Sequence, residues 1–353
     1  MIATVREGLA EEIMLTWLLT TQGSNAASSG SAVSWEQIAG ELQSLGMVAT
    51  GVALAWAIAA VLLLRSAGQR WRKLWPGQRW YAVSWGVLQV LMLMLVSAVV
   101  SQLITETAPW PKNWAMMRFV LASACQALIY VWVPMRLLEI PPYQLGWHLR
   151  RWREDVVLGG VLWIPAMSVT LAVWAAALQV WPASDHGLFQ ELREAPSWPN
   201  WVALTLTAVC LAPLAEEAMF RGLLLRKMAD EPFWADLTML TALLAAIVQG
   251  YGAKSWGPLL FLVTAGPGYL AFEWMTARLL PKPGLARAVF ASSLIFAFLH
   301  AQAWPSPIPL FFLAIILGIV AARTQSLLAP LLIHAAFNFT TVMTVWLQRM
   351  GGS

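Results

Sequence analysis

Ten apolar runs separated by short polar loops set the strongest limit on how this chain can fold. A helix that crosses a bilayer needs about 20 predominantly apolar residues. Nine of the runs hold 17 or more residues, and the shortest run, Leu310–Ala322, holds 13. The other runs are Leu45–Leu64, Trp80–Ile104, Trp114–Met135, Val156–Trp181, Trp201–Leu225, Phe233–Gln249, Trp256–Ala277, Ala286–Ala303 and Leu327–Leu347. We therefore predict an all-α, polytopic transmembrane helix bundle with about ten crossings.

The composition also indicates a membrane protein. Charged residues make up 11% of the chain, whereas soluble domains contain about 25%. A net charge of +4 would suggest nucleic-acid binding in a soluble protein, but the basic residues here lie between apolar runs. The expected partner is the lipid bilayer, and no nucleic acid is expected. Cys125 and Cys210 both lie in apolar runs, which excludes a disulfide framework and a thiolate metal site.

The basic residues predict the orientation of the chain. When the loops are assigned to alternate sides, with the loop after Leu45–Leu64 cytoplasmic, 16 of the 22 Lys and Arg residues fall on the cytoplasmic side. This asymmetry is the positive-inside pattern. Both termini are then extracytoplasmic in a multi-pass protein of the cell membrane. The predicted regions are an N-terminal segment and linker at 1–44, a four-helix membrane region at 45–198 and a C-terminal membrane domain at 199–348.

Two adjacent carboxylates and a guanidinium lie in the fifth run. Glu217 and Arg221 are four residues apart, so on a helix their opposite charges can meet. Glu216 is rotated by about 100° from Glu217 and has no partner within the run. A charge inside the bilayer costs at least a few kcal/mol and persists only with partners or in a polar cavity. These residues therefore either stabilise helix packing or leave Glu216 free as a functional carboxylate.

Two of the four histidines also lie in apolar runs. His300 follows Phe296 by four residues in the eighth run, and His334 precedes Asn338 by four residues in the tenth. The second spacing places His334 and Asn338 on one helical face. At about 1.5 Å of rise per residue, Glu216 and the two histidines reach overlapping depths if the helices tilt.

This set of side chains matches the needs of amide hydrolysis by water. A carboxylate such as Glu216 can take a proton from water, while a buried imidazole orients the water or donates to the leaving group. The N–H groups of an imidazole and a carboxamide can stabilise the developing oxyanion. No serine or cysteine is strongly indicated as a nucleophile.

Three motifs occur in order, and each lies in an apolar run: Glu216-Glu217-x-x-x-Arg221, Phe296-x-x-x-His300 and His334-x-x-x-Asn338. In this order they resemble the motifs of the CPBP (Abi) intramembrane proteases, a family that includes the type II CAAX prenyl endopeptidases and bacteriocin-processing or immunity proteins. The resemblance covers roughly residues 199–348. The 75 positions from Arg221 to Phe296 are more than the family pattern leads us to expect, and they contain two additional predicted crossings.

The resemblance implies a role for each motif residue. Glu216 would be the general base on the attacking water, assisted by His300, and His334 and Asn338 would form the oxyanion site. The supporting residues would be Glu217, Arg221 and Phe296, of which Phe296 either packs behind the site or contacts the substrate. The implied substrate is a membrane-associated peptide or protein.

Two other functions use similar residues. A transporter or proton relay also places Glu and His inside a membrane, but it should show inverted repeats or paired broken helices, and the sequence shows no convincing duplication. A non-catalytic immunity or scaffold protein would keep the fold for binding alone.

We expect no metal cofactor. Glu216, His300 and His334 are a ligand set for catalytic zinc, and that site is the alternative. A zinc protease also needs a separate carboxylate as base. Glu217 is the nearest one, but it diverges from Glu216 on a helix and lies within reach of Arg221.

The basic-residue pattern makes a topology prediction. Reporter tags at the N-terminus and after Ser353 should both report the extracytoplasmic side, whereas a tag inserted near Arg72 should report the cytoplasm. The measurement is the labelling of each tag in intact and permeabilised cells. A cytoplasmic C-terminus would mean that one of the later runs does not cross.

Overall fold

The computed structural model describes residues 82–107, 111, 114–181, 192, 197–252, 257–276, 280, 282 and 284–351, with the backbone alone at 246–252, 257–262 and 348–351. The predicted segment 1–44 and the run Leu45–Leu64 lie outside the described residues. Every regular element in the described ranges is a helix. The helices are α1 (Val87–Thr107), α2 (Met117–Arg136), α3 (Pro142–Leu145), α4 (Trp152–Leu178), α5 (Trp198–Asp230), α6 (Phe233–Gly252), α7 (Gly257–Thr276), α8 (Leu285–Phe298), α9 (Pro307–Thr324) and α10 (Leu328–Gly351).

The predicted all-α transmembrane bundle is confirmed. Six of the described helices are long and apolar enough to cross a membrane, namely α1, α2, α4, α5, α9 and α10. Two shorter apolar stretches lie in α6 and α8. Each predicted run from Trp80–Ile104 onward overlaps one of these helices. The chain is an integral membrane protein.

Two helix ends differ from the prediction. The run expected to be short, Leu310–Ala322, lies in α9, which has 18 residues because it begins at Pro307. The eighth run forms the short helix instead, since α8 ends at Phe298. His300 therefore lies in a turn after α8, not inside the crossing as predicted. Because Pro305 disfavours helix at the preceding residue, the chain turns before α9 starts.

A third difference concerns α5. The prediction ended this crossing at Leu225 and assigned Arg226 and Lys227 to a loop, whereas α5 continues to Asp230 and both basic side chains are buried. At 1.5 Å per residue, its 33 residues extend for about 50 Å, which exceeds the hydrocarbon thickness of a bilayer. Hydrogen-bond partners from other parts of the fold, which a single apolar run does not reveal, compensate for the loss of water around the buried side chains.

Those partners lie in other loops. Arg226 donates to the side chain and to the carbonyl of Gln325, and His148 Nε2 lies 3.1 Å from the same carbonyl. Leu327 N–H donates to the carbonyl of Gly146. Gly146 has φ of +85°, and a Cβ there would lie 2.7 Å from Arg226 Nη2, so only glycine fits. Loops that the basic-residue pattern assigns to one side thus meet at one end of the bundle.

Candidate active site

The site is built on α5, whose helical geometry changes at the motif. Regular helix at Ala212–Glu217 is flanked by π turns at Leu206–Leu211 and Ala218–Leu224. Such turns insert an additional residue into a helix and are frequent at functional sites. Gly222 lies in the second π turn, where an added Cβ would be 3.2 Å from the Leu145 carbonyl oxygen, so the backbones of α5 and α3 approach closely.

Glu217 is the buried centre of the site. Its Oε1 accepts a hydrogen bond from Arg221 Nη1 at 2.8 Å, as the i, i+4 spacing predicted. The same oxygen lies 2.8 Å from His334 Nδ1 of α10. The Glu217 side chain is 0% exposed. A single carboxylate oxygen of Glu217 therefore contacts Arg221 on its own helix and His334 on α10.

Arg221 is held on several sides. Its Nη2 donates to the Ala314 carbonyl of α9 at 3.2 Å. Its guanidinium carbon lies 4.9 Å from the ring centroid of Phe296 and 5.8 Å from that of Phe220. A desolvated cation over an aromatic face contributes about 2 kcal/mol. The buried charge is thus neutralised by Glu217 and surrounded by polarisable rings.

Phe296 connects the histidines to this charge pair. The ring is 1% exposed, and its centroid lies 4.9 Å from the ring of His300 and 5.8 Å from that of His334. It also makes an edge contact with Phe220 at 5.1 Å. Of the two roles left open for Phe296, this geometry favours packing behind the site.

Both histidines use Nδ1 for a contact within the protein. His300 Nδ1 lies 2.8 Å from the Phe296 carbonyl, which can only accept, so Nδ1 carries the proton. His334 Nδ1 faces a Glu217 oxygen that already accepts from Arg221, so this Nδ1 also carries a proton. Nε2 of each ring is then the nitrogen left for chemistry. Within the described residues, no hydrogen bond joins His300 to Glu216.

Glu216 is the accessible carboxylate. Its side chain is 28% exposed, and its Oε2 lies 3.6 Å from His334 Nε2. That distance is longer than a hydrogen bond, so the carboxylate is near the imidazole without being bound to it. The sequence indicated no partner for Glu216 within its own run, and the structure supplies this neighbour from α10.

Asn338 contacts α5 at a second place. Its Nδ2 donates to the carbonyl of Ala208 at 2.7 Å. Asn338 itself lies about one helical turn after His334 along α10. The structure thus brings Glu216, Glu217 and His334 into one cluster and leaves Asn338 beside it. The acceptors at Ala208 and Ala314 were missed from the sequence because backbone carbonyls carry no residue signature.

A protein-family model described as type II CAAX prenyl endopeptidase Rce1-like matches residues 198–281 and 268–340. The match covers less than half of the chain, and it agrees with the resemblance of the three motifs to the CPBP proteases. Both matched segments carry motif residues, since Glu216 lies in the first and His300, His334 and Asn338 lie in the second. No curated protein and no solved structure matches the chain.

The buried pair makes a stability prediction. Arg221→Ala leaves Glu217 as an unpaired buried charge and should destabilise the protein by about 3–5 kcal/mol. Glu216→Ala, which removes an accessible carboxylate, should cost much less. The measurement is the unfolding free energy in detergent micelles.

A double variant controls for the lost packing of the arginine. Arg221→Met combined with Glu217→Gln removes both charges and should be more stable than Arg221→Ala alone. Equal stability of the Arg221→Ala and Glu216→Ala proteins would contradict the assignment of Glu217 and Arg221 as the structural pair.

The absence of a metal cofactor stays a prediction. In the described ranges no three His, Cys, Asp or Glu side chains are grouped as metal ligands. The purified protein should contain no stoichiometric metal by elemental analysis and should keep its activity in strong chelators. Stoichiometric zinc, with activity lost on chelation and restored by zinc alone, would contradict this prediction.

Proposed function

We propose that this protein is an intramembrane endopeptidase that hydrolyses a peptide bond of a membrane-associated substrate with water activated by Glu216. The observation that carries the proposal is the contrast between two adjacent glutamates. Glu217 is fully buried and bonded to Arg221 and His334, whereas Glu216 is partly exposed beside the same histidine. The family match supports the class of reaction.

Glu216 is the group suited to receive a proton from water. Its carboxylate is close to His334 but too far away to be bound by it. Water that loses a proton to Glu216 attacks the carbonyl carbon of the scissile bond. Because His300 uses Nδ1 for its bond to the Phe296 carbonyl, its Nε2 can accept a hydrogen bond from that water and orient it.

His334 faces the site in a different electrostatic setting. Its Nδ1 bonds to Glu217, and its Nε2 lies 3.6 Å from a Glu216 oxygen. A proton on Nε2 would allow His334 to donate to the oxyanion of the tetrahedral intermediate. The resemblance adds Asn338 to this oxyanion site, and its amide has one further N–H besides the one bonded to Ala208.

Collapse of the intermediate completes the reaction. The C–N bond breaks, the electron pair goes to the amine nitrogen, and the amine takes the proton that Glu216 received from water. No covalent intermediate with the protein is required. Glu216 and His300 are partly exposed, whereas Glu217 and Arg221 are buried, so the substrate enters from the side of Glu216 and His300.

Glu216→Gln should abolish cleavage, with a loss of about 10²–10⁴ in rate for removal of a general base. The measurement compares membrane proteomes and C-terminal peptides from cells that contain wild-type protein or the variant. The expected result is a peptide that is cut only in the presence of wild-type protein.

The chain offers a matched control. Glu273 is 30% exposed, close to the 28% of Glu216, but it pairs with Arg287 away from the site. Glu273→Gln should leave the cleavage pattern of the wild type. A Glu216→Gln protein that still cuts at the wild-type rate would overturn the mechanism.

A further inference from the structure

An apolar crevice lies between α6, α7 and α8, three helices that pack against one another. Its volume is about 130 Å³. On α6 its lining includes Leu240, which is exposed at the protein surface, and on α8 it includes Leu294, which is buried. The crevice therefore begins at the apolar outer surface, which faces the bilayer, and ends in the interior of the protein.

The crevice is open because α7 has no side chain at Gly266. A Cβ added at this position would meet no heavy atom within 4 Å. The atoms that line an unfilled void lose van der Waals contacts, so an apolar group from the surrounding bilayer is expected to fill the crevice. A void of about 150 Å³ with an apolar lining binds a molecule of the size of benzene. The crevice thus has room for a short length of one hydrocarbon chain.

A group of charged side chains lies next to the crevice, where α6 and α8 begin and α7 ends. Tyr269 connects the two, since its ring lines the crevice and its hydroxyl donates to Asp236 Oδ1 at 2.5 Å. The Asp236 carboxylate also pairs with Arg287 Nη1 at 3.2 Å. Glu273 accepts from Arg287 Nε at 2.9 Å and holds the other side of the guanidinium. Asp236 and Arg287 are both partly exposed.

These charges suit a phospholipid whose head group carries both signs. Within the described residues Arg287 Nη2 makes no hydrogen bond, so it can donate to a phosphate oxygen. The Asp236 carboxylate can accept from a primary ammonium, which has three N–H donors as lysine does. A trimethylammonium group has no such donor, and an anionic head group would meet two carboxylates for one guanidinium. A head group with a primary amine is therefore favoured.

The head group must decide which lipid binds. Lipid tails are as apolar as the side chains that line the crevice, so a tail gains only packing when it leaves the bulk bilayer. Asp236 precedes Leu240 by four residues, which corresponds to about 6 Å along α6. The charged group and the crevice are thus close enough to bind the head and the chain of one lipid molecule.

We propose that the crevice between α6, α7 and α8 binds an acyl chain of a phospholipid with a primary-amine head group, and that the phosphate binds Arg287 and the ammonium binds Asp236. Phosphatidylethanolamine has this chemistry. The inference goes beyond the proposed function, because none of these side chains belongs to the candidate active site. The helices α6 and α7 lie within the additional positions between Arg221 and Phe296, so the inference also gives these helices a role.

The test is lipid binding to the full-length protein in detergent, measured by native mass spectrometry during titration. The probes are phosphatidylethanolamine, phosphatidylcholine and phosphatidylglycerol with identical acyl chains. The wild-type protein should bind one phosphatidylethanolamine about 10-fold more tightly than either of the other lipids, because a hydrogen bond to a charged group has an effect of this size.

Gly266→Leu fills the crevice and should weaken the binding of phosphatidylethanolamine on the order of 10-fold, because the acyl chain loses its packing surface. The variant should fold, since the position has room for a side chain and leucine is a better helix former than glycine. The matched control is Gly160→Leu. A Cβ at Gly160 also meets no atom within 4 Å, but this residue lies in α4, which does not line the crevice. The control variant should keep the wild-type affinity.

Asp236→Asn tests the head-group site. It should bind phosphatidylethanolamine and phosphatidylcholine equally, because the ammonium loses its charged acceptor. The matched control is Glu231→Gln, since the Glu231 carboxylate pairs with Lys227 and not with the charged group at the crevice. This control should keep the preference for phosphatidylethanolamine.

Equal affinities of the wild-type protein for the three lipids would overturn the proposal, and so would tighter binding of phosphatidylglycerol. An unchanged affinity for phosphatidylethanolamine in Gly266→Leu, or an equal loss in Gly160→Leu, would overturn the place of the acyl chain. A protein dimer that is lost in Gly266→Leu would show that a second copy of the chain covers the crevice, which would also overturn it.

If Asp236→Asn cannot be obtained folded, the three lipids compared on the wild-type and Gly266→Leu proteins decide the proposal. Failure of the proposed function is detected separately, because lipid binding is measured without a peptide substrate.

Discussion

The carboxylate of Glu217, which has no exposed surface, accepts from Arg221 on its own helix and from His334 on α10 through a single oxygen. An ionised group without water must be paired and hydrogen-bonded to persist. Arg221 then carries the same constraint to α9 through the Ala314 carbonyl. The helices α5, α9 and α10 are thereby fixed around one charge, and the partly exposed Glu216 lies beside it.

The aromatic residues make this arrangement compatible with an apolar bundle. Phe296 contacts Arg221 and both histidines, so one ring shields the cation and limits the movement of the imidazoles. The two adjacent glutamates lie in different environments, because neighbouring helical side chains diverge by about 100°. Glu217 points into the packed interior, and Glu216 points to the accessible side.

A second polar constraint operates at one end of the bundle. Arg226 and His148 both approach the carbonyl of Gln325, in the link between α9 and α10. The carbonyl lies directly before the helix that carries His334. Two sets of contacts therefore position α10: those of Gln325 just before its start, and that of Glu217 with His334 about two turns later. Each set includes a buried arginine of α5, which is Arg226 in the first and Arg221 in the second.

The sequence by itself determined the crossings and the motif residues, because membrane burial demands long apolar runs and leaves few reasons for a charge within them. The i, i+4 spacing also determined the pairing of Glu217 with Arg221, since that contact is local. Tertiary structure alone decided that His334 bonds to Glu217, that His300 follows α8, and that Arg226 is buried. It also decided that Asn338 bonds to Ala208. These outcomes depend on which groups from distant helices come into contact, and a backbone carbonyl such as that of Ala208 becomes an acceptor only after the helix has lost its regular hydrogen bonds.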